Sequence, residues 1–341
     1  MIAFVVRRLL QSILVMLAVG FIAFSLFNYV GAPINNMVGQ DTTLEQRQEL
    51  RERLGLDDPF VVQYGRFLVN AVQGDFGLSY RHRRPVAELI AERVPATLEL
   101  SLVAAFLALF IGVPMGVYTG LHRRGVISQL FLTVSLVGIS LPTFLIGILL
   151  ILVFGVMSQD INAALGFTLV PQLPTFGRGE TVQLGWWSTG FLTKSGLLAL
   201  ILPSVTLALF QMTLIMRLVR SEMLEVLRTD YIKFARARGL TNRAVNFGHA
   251  LKNTLVPVIT ITGLQLGSII AFALITERVF QWPGMGLLFL QAITEVDIPV
   301  MASYLMLMGF FFVLINLIVD LLYYVVDPRL RADKAVAAGH Q

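Results

Sequence analysis

Residues Gly196–Met216 read GLLALILPSVTLALFQMTLIM, and no formal charge interrupts them. A helix needs roughly 20 apolar residues to cross the hydrocarbon core of a bilayer. No water reaches backbone amides there, so such a stretch must close its hydrogen bonds within itself, which makes it a helix. The same pattern recurs at Leu9–Val30, Leu98–Leu121, Gln129–Met157, Thr254–Ile275 and Pro299–Val326. An all-α integral membrane protein with six transmembrane helices is predicted. Asp320 is singled out as a charge inside a span, and Pro142, Pro203 and Pro257 as positions where a helix bends or loosens. Composition agrees. Of 341 residues, 56% are hydrophobic and 14% charged, against about 25% charged in a soluble domain. Too few polar side chains remain to cover a water-facing surface. The absence of cysteine excludes disulfides and thiolate metal sites. The net charge of +5 does not signal a nucleic-acid partner, because the basic residues sit mostly at the ends of the apolar runs.

Those ends set the orientation, since Lys and Arg in short loops stay on the cytoplasmic side. With the N-terminus inside, the inner segments hold Arg7, Arg8, Arg123, Arg124, the eight basic residues from Arg217 to Lys252, and Arg329, Arg331 and Lys334. The two shorter outer loops hold Arg178, Lys194 and Arg278. The long segment Gly31–Thr97 carries eight arginines but also nine acidic residues, and segments of this length cross largely regardless of charge. Both termini are therefore predicted to be cytoplasmic. Arg7-Arg8 before an apolar run fits the start of a signal peptide, but the run is too long for one and no A-x-A site follows. An uncleaved first span is expected.

Gly31–Thr97 reads as a small extracytoplasmic module. Thr42-Thr43-Leu44-Glu45 forms a capping box. A helix follows over Leu44–Leu54, with Glu49 and Arg53 paired at i,i+4 and Gly55 as its stop. A second helix is expected over Phe60–Val72, ending at Gly74, and Arg81–Val94 is expected to lie as an amphipathic stretch along the membrane surface. A solvated cap and a docking surface for a partner fit this module equally.

Arg217–Asn253, between the fourth and fifth spans, is polar yet reads as helices. Tyr231, Phe234, Ala235 and Arg238 fall on one helical face, Gly239 breaks the helix, and Asn242–His249 can start another. A short helix pair held between two membrane spans would transmit a push from below to both of them. A basic loop lying on anionic lipid is the plainer reading of its arginines. The sequence Asp230-Tyr231-Ile232-Lys233-Phe234-Ala235-Arg236-Ala237-Arg238-Gly239-Leu240, followed by His249-Ala250-Leu251-Lys252-Asn253 and Pro257, resembles the coupling loop of ABC-importer permeases. It is most similar to the dipeptide and oligopeptide permease family, in its B-subunit branch. Gly74-Asp75-Phe76-Gly77-Leu78-Ser79, Pro95-Ala96-Thr97-Leu98-Glu99-Leu100, Thr276 to Gly286, Asn316 to Leu321 and Asp327-Pro328-Arg329 extend the resemblance over nearly the whole chain. Lys233-Phe234-Ala235 and Lys252 stand where the wider superfamily often has Glu-Ala-Ala and a proline, and Val30-Gly31-Ala32-Pro33 replaces the usual Pro-Gly-Asp-Pro.

The resemblance implies a type I ABC importer permease of the bacterial cytoplasmic membrane. It divides the chain into residues 1–96 (first helix and outer segment), 97–331 (five-helix core) and 332–341 (cytoplasmic tail). It implies an ATPase-coupling role for Asp230, Tyr231, Phe234, Ala235, Arg236, Arg238, Gly239 and Leu240. The implied partners are a second homologous permease, two ATP-binding subunits and an extracytoplasmic solute-binding protein. The chain has no G-x-x-x-x-G-K-[ST] phosphate loop, so ATP and Mg are expected on the partner subunits and no catalytic role is expected here. Glu277, Arg278, Trp282, Pro283 and Gly284 are outer-gate candidates, read equally well as an interfacial ion pair with an aromatic anchor. Gln211, Thr213, Gln265 and Ser268 could line a path or bond between helices. No nucleophile–base constellation or metal-ligand spacing is seen among the histidines. The implied substrate class is peptides, with nickel, glutathione or an oligosaccharide as alternatives in the same importer type. A secondary transporter working alone is the competing class, and Asp320 is poor support for its ion coupling.

Overall fold

The computed structural model describes residues 2–30, 48 and 57–326. The predicted capping box at Thr42–Glu45, the helix Leu44–Leu54 with its Glu49–Arg53 pair, the Gly31-Ala32-Pro33 exit, Asp327-Pro328-Arg329 and the tail 332–341 lie outside the described residues. In chain order the elements are α1 Ile2–Val30, α2 Phe60–Val72, α3 Val86–Leu121, α4 Val126–Ser140, α5 Thr143–Ile151 with a π-helical extension Leu152–Val156, and α6 Ser158–Leu165. There follow β1 Val182–Leu184, β2 Trp187–Thr189, α7 Lys194–Val226, α8 Asp230–Ala237, the π-helical segment Ala244–Ala250 leading into α9 Leu251–Val279, α10 Met285–Glu295 and α11 Ile298–Val326. β1 and β2 form an antiparallel hairpin, with Val182 opposite Thr189.

Among the described residues, four helices are long and apolar enough to cross a membrane: Val6–Ser25 within α1, then α3, α7, and Ile298–Leu321 within α11. Two further apolar runs are bent. The α4–α5 pair turns through 108°, and α9 bends by 44° between Pro257–Gly263 and Gly267–Val279. The sequence drew the first of these as one span, Gln129–Met157. Its break follows from Pro142, whose ring pushes the preceding residue out of the helical region; Leu141 is extended, with ψ 135°. Arg81–Val94 also differs from expectation. Val86 begins a helix of 36 residues, and Val86, Leu89, Ile90 and Val94 are buried in protein rather than laid along a membrane surface.

The chain forms two compact units. The first comprises the described residues up to 97, with 182–189 and 283–314. In it α2, found at the bounds the sequence gives, lies against α1 through rings at helical spacing. Phe24 meets Phe60 at 5.1 Å and Phe67 at 5.5 Å between centroids, Phe21 meets Tyr64 at 5.8 Å, and the Tyr64 hydroxyl donates to the Leu17 carbonyl at 2.7 Å. Ala23, Ala302 and Met306 are the buried centre of this contact region.

The second unit comprises residues 98–181, 190–282 and 315–326 among those described, and α7 is its axis. Gly112, Gly116 and Gly120, four residues apart on α3, face Ile215, Val219 and Met223 of α7. Small residues at this spacing let helix backbones approach closely in lipid. On its other sides α7 packs against α5 and α9, and Leu173, Leu202 and Phe280 cluster near its Lys194 end. A β-carbon at Gly116 would sit 2.6 Å from Val219 Cβ and 2.7 Å from the Met216 carbonyl oxygen. Gly116→Ala is therefore expected to destabilise the purified protein by about 1–3 kcal/mol through overpacking, and Val219→Ala to restore part of the loss in the double variant. Equal melting of Gly116→Ala and wild type in detergent would show that α3 and α7 do not meet there.

Candidate functional site

The turn that follows α7 is built from the end of that helix. Thr229 closes that helix, its hydroxyl donating to the Val226 carbonyl at 2.6 Å, and α8 starts at the next residue. Lys233 donates to Asp230 at 2.8 Å, and this hydrogen bond, with the ammonium charge, holds the Asp230 carboxyl below the usual range. The helix ends in paired C-terminal bonds: Leu240 N–H donates to the Ala235 carbonyl at 3.3 Å and Gly239 N–H to the Arg236 carbonyl at 2.9 Å. That motif requires a left-handed residue between them, and Gly239 supplies it at φ +78°. The predicted second helix at Asn242–His249 is not a separate piece. The chain is helical from Asn242, continuing through the π-helical turn into α9.

The four residues assigned to one face divide. Ala235 is buried together with Ile232 and Val245, and these fix α8 against the start of the α9 segment. Tyr231, Phe234 and Arg238 point away. Phe234 is 64% exposed and lies 5.8 Å from the Arg238 guanidinium, and the Tyr231 hydroxyl accepts from Asn253 at 2.6 Å. Arg236, Gly239 and Leu240 are exposed, as is Phe247. The sequence placed Ala235 one step off because, on so short a helix, adjoining stripes share a boundary and only Ile232 tells which side is covered.

At the Lys194 end of α7 in the same unit the structure assembles a group that the sequence reading passed over. Glu99, the second residue of the Leu98–Leu121 run, is a charge inside that segment besides Asp320. It is fully buried and accepts from the Arg178 guanidinium at 2.5 Å and the Gly190 amide at 3.2 Å. The guanidinium of Arg178 lies 6.0 Å from the Trp282 ring, and Gly177 N–H donates to the Phe280 carbonyl at 2.9 Å. The loop before α7 is thereby clamped to α3 and to the end of α9. Of the gate candidates, Glu277 and Trp282 are fully buried and Arg278 is exposed. Trp282 is accordingly not an anchor at the membrane–water boundary. Pro283 and Gly284 belong to the first unit, where Gly284 precedes α10 and Met285 N–H donates to the Thr97 hydroxyl at 2.8 Å. Of the neutral polar residues, Thr213 bonds its own helix at the Leu209 carbonyl, Gln211 is buried, and Gln265 and Ser268 are half-buried.

Residues 112–332 match the family described as binding-protein-dependent transport system inner membrane component, and residues 1–101 match the N-terminal domain of such components. The chain belongs to this family. It is 36% identical to the dipeptide transport system permease protein DppB of Alkalihalophilus pseudofirmus, over 97% of this chain and 100% of that one. It is also 36% identical to the oligopeptide transport system permease protein AppB of Bacillus subtilis, over 97% and 99%, and 34% identical to DppB of Escherichia coli, over 98% and 100%. A chain of the inward-facing MetNI methionine ABC transporter shares the fold, with TM-score 0.51 and 19% identity over 70% of this chain and 96% of that chain. This is an inner-membrane transport component, and the two ends of its second unit are where a mechanism has to be sought.

A buried ion pair is far more costly to break than to replace as a whole. Arg178→Ala or Glu99→Ala alone is expected to lower stability by about 3–5 kcal/mol, whereas Glu99→Met with Arg178→Met stays much closer to wild type. Thermal melting of the three purified variants checks this. Single and double variants that melt alike would mean the two charges do not depend on each other.

Proposed function

We propose that the chain is one permease subunit of an ATP-binding-cassette importer and forms half of the translocation path for di- or oligopeptides across the bacterial cytoplasmic membrane. Its partners are a second homologous permease, two ATP-binding subunits that carry ATP and Mg, and an extracytoplasmic solute-binding protein. In this reading α1, α3, the α4–α5 pair, α7, α9 and α11 are the six spans, and both termini are cytoplasmic.

The observation that carries the reading is α8. It is a short helix fixed on one side by Ile232 and Ala235, and it presents Tyr231, Phe234, Arg236 and Arg238 on the other. Exposed large apolar groups beside arginines suit a protein partner better than water. Being joined to α7 at one end and to the α9 segment at the other, α8 passes a displacement to both. ATP-driven closure of the partner subunits would move α8 and with it α7, whose 33 residues reach about 50 Å, well beyond the roughly 30 Å hydrocarbon core. The peptide class is supported by the names of the relatives.

The test is co-purification and transport with the whole importer. Phe234→Asp changes an exposed side chain. It is expected to leave the amount of this chain unchanged while the ATP-binding subunits are lost from the complex and ATP-dependent peptide uptake falls at least about tenfold, roughly 1.4 kcal/mol of interface free energy. Gly239→Arg, which must hold a side chain at φ +78°, is expected to do the same with some loss of stability. Retention of the ATP-binding subunits and full uptake by Phe234→Asp contradicts the assignment of α8.

A further inference from the structure

α2 meets two long apolar helices of its own unit, and it lies across them. The Phe24 ring of α1 stands 5.1 Å from Phe60, 5.7 Å from Tyr64 and 5.5 Å from Phe67. From Phe60 to Phe67 the chain advances about 10 Å along α2. A helix aligned with α1 would move its contact by as much along α1, yet both residues meet the same ring. Phe67 and Ala71 also pack on the cluster of Ala23, Ala302 and Met306, which joins α1 to α11. The level of the crossing is marked on both long helices. Phe21, 5.8 Å from Phe60 and from Tyr64, lies four residues inside the Ser25 end of the apolar run of α1. Ala302 lies four residues inside the Ile298 end of the run of α11. Each places α2 about 6 Å below the end of a membrane-crossing run. The turn that follows α2 is held as well: buried Asp297, past the end of α10, accepts from the Ser79 hydroxyl and from Tyr80 N–H at 3.1 Å.

Seen down its axis, α2 has three faces, each taking about a third of the circumference at 3.6 residues per turn. Phe60, Tyr64, Phe67, Leu68 and Ala71 turn to α1 and α11. Gln63, Arg66, Asn70 and, just past its end, Gln73 make a polar stripe at helical spacing, and Arg66 is matched by Asp58 at 2.6 Å. Val61, Val62, Gly65, Val69 and Val72 make the third face, and it is bare: Val61 is 77% exposed and Val72 89%. Thirteen residues reach about 20 Å, too short to cross a bilayer. A short helix with one polar and one apolar stripe, lying in the membrane plane 5–10 Å into the headgroup–acyl boundary, is the arrangement of an interfacial helix. Protein interfaces gather aromatic, Met and Arg side chains, whereas the rings of α2 all turn inward and its bare face is valine and glycine alone. That face also continues an apolar surface of α1, where Leu10, Ile13, Leu14 and Ile22 are exposed and half-exposed Phe21 joins the two helices.

We propose that α2 is an interfacial helix whose valine face, Val61, Val62, Val69 and Val72, is covered by phospholipid acyl chains, while Gln63, Arg66, Asn70 and Gln73 face the headgroups. The proposal rests on the reading of α1 and α11 as spans with cytoplasmic termini, which makes this leaflet the outer one. The chain has no cysteine, so single bimane labels are placed through Val69→Cys, Val72→Cys, Leu14→Cys and His82→Cys. Each is studied in the complete importer, its partner subunits also cysteine-free, in phosphatidylethanolamine–phosphatidylglycerol nanodiscs. One quencher is a doxyl group carried near the headgroup end of a lipid acyl chain, and the other is iodide in the water. The labels at Val69 and Val72 are expected to lose most of their emission to the doxyl lipid and little to iodide, and the label at His82, exposed in the turn, to do the reverse. Iodide quenching at Val69 and Val72 equal to that at His82 overturns the proposal, because α2 then stands in water. Protection of both from either quencher overturns it too, because a partner subunit then covers the face. A label at Leu14 that iodide quenches and a doxyl group at the acyl midpoint does not means that α1 does not cross the bilayer, and the reading of the spans itself falls.

Discussion

In hydrocarbon there is no apolar burial to drive one helix onto another, so spans are held by how closely their backbones approach and by what few polar groups they share. In the second unit both conditions meet on α7. The glycines of α3 let it come within van der Waals contact along three successive steps, at Ile215, Val219 and Met223. On the same unit a branched side chain from α11, Val319, fills the space left at Gly263 of α9. Small residues on one helix facing branched ones on the next leave little freedom to slide. The consequence is mechanical: what moves one end of α7 moves the other.

Each end of α7 carries a different kind of attachment. The Lys194 end follows a loop tied down by Glu99, Arg178 and the Gly190 amide. The charges there are out of water, which makes them costly unless fully matched. The Val226 end leads to α8, where the matching is apolar: Ile232, Ala235 and Val245 are covered and the aromatic side chains face away. An ion pair at one end resists separation, and a bare aromatic face at the other waits for something to cover it.

How much of this could be read beforehand depended on the range of the interaction. The apolar runs, α2 at Phe60–Val72 and the left-handed stop at Gly239 were legible, because length, periodicity and local backbone chemistry are written within a few residues. Pro142 announced a bend, but not one of 108°, since the angle is set by what α4 and α5 each pack against. Arg81–Val94 was misread because an amphipathic pattern says that one face is covered, not whether lipid or protein covers it. Glu99 was missed for a different reason. Its partner Arg178 lies 79 positions away, and nothing in the run around Leu98 shows that a carboxylate there is matched. Asp297 and the turn at Ser79, 218 positions apart, are invisible to sequence for the same reason.

The central claim is that the second unit moves as one body between α8 and the Glu99–Arg178 clamp. Spin labels at Arg236 on α8 and at Glu180 beside the clamp, both exposed, would report it by pulsed electron resonance in the complete importer. The account predicts a narrow distance distribution that stays in place between nucleotide-free and ATP-trapped states, while the distance from Arg236 to a label on the second permease shifts. A distribution within this chain that broadens or moves between the two states would contradict it.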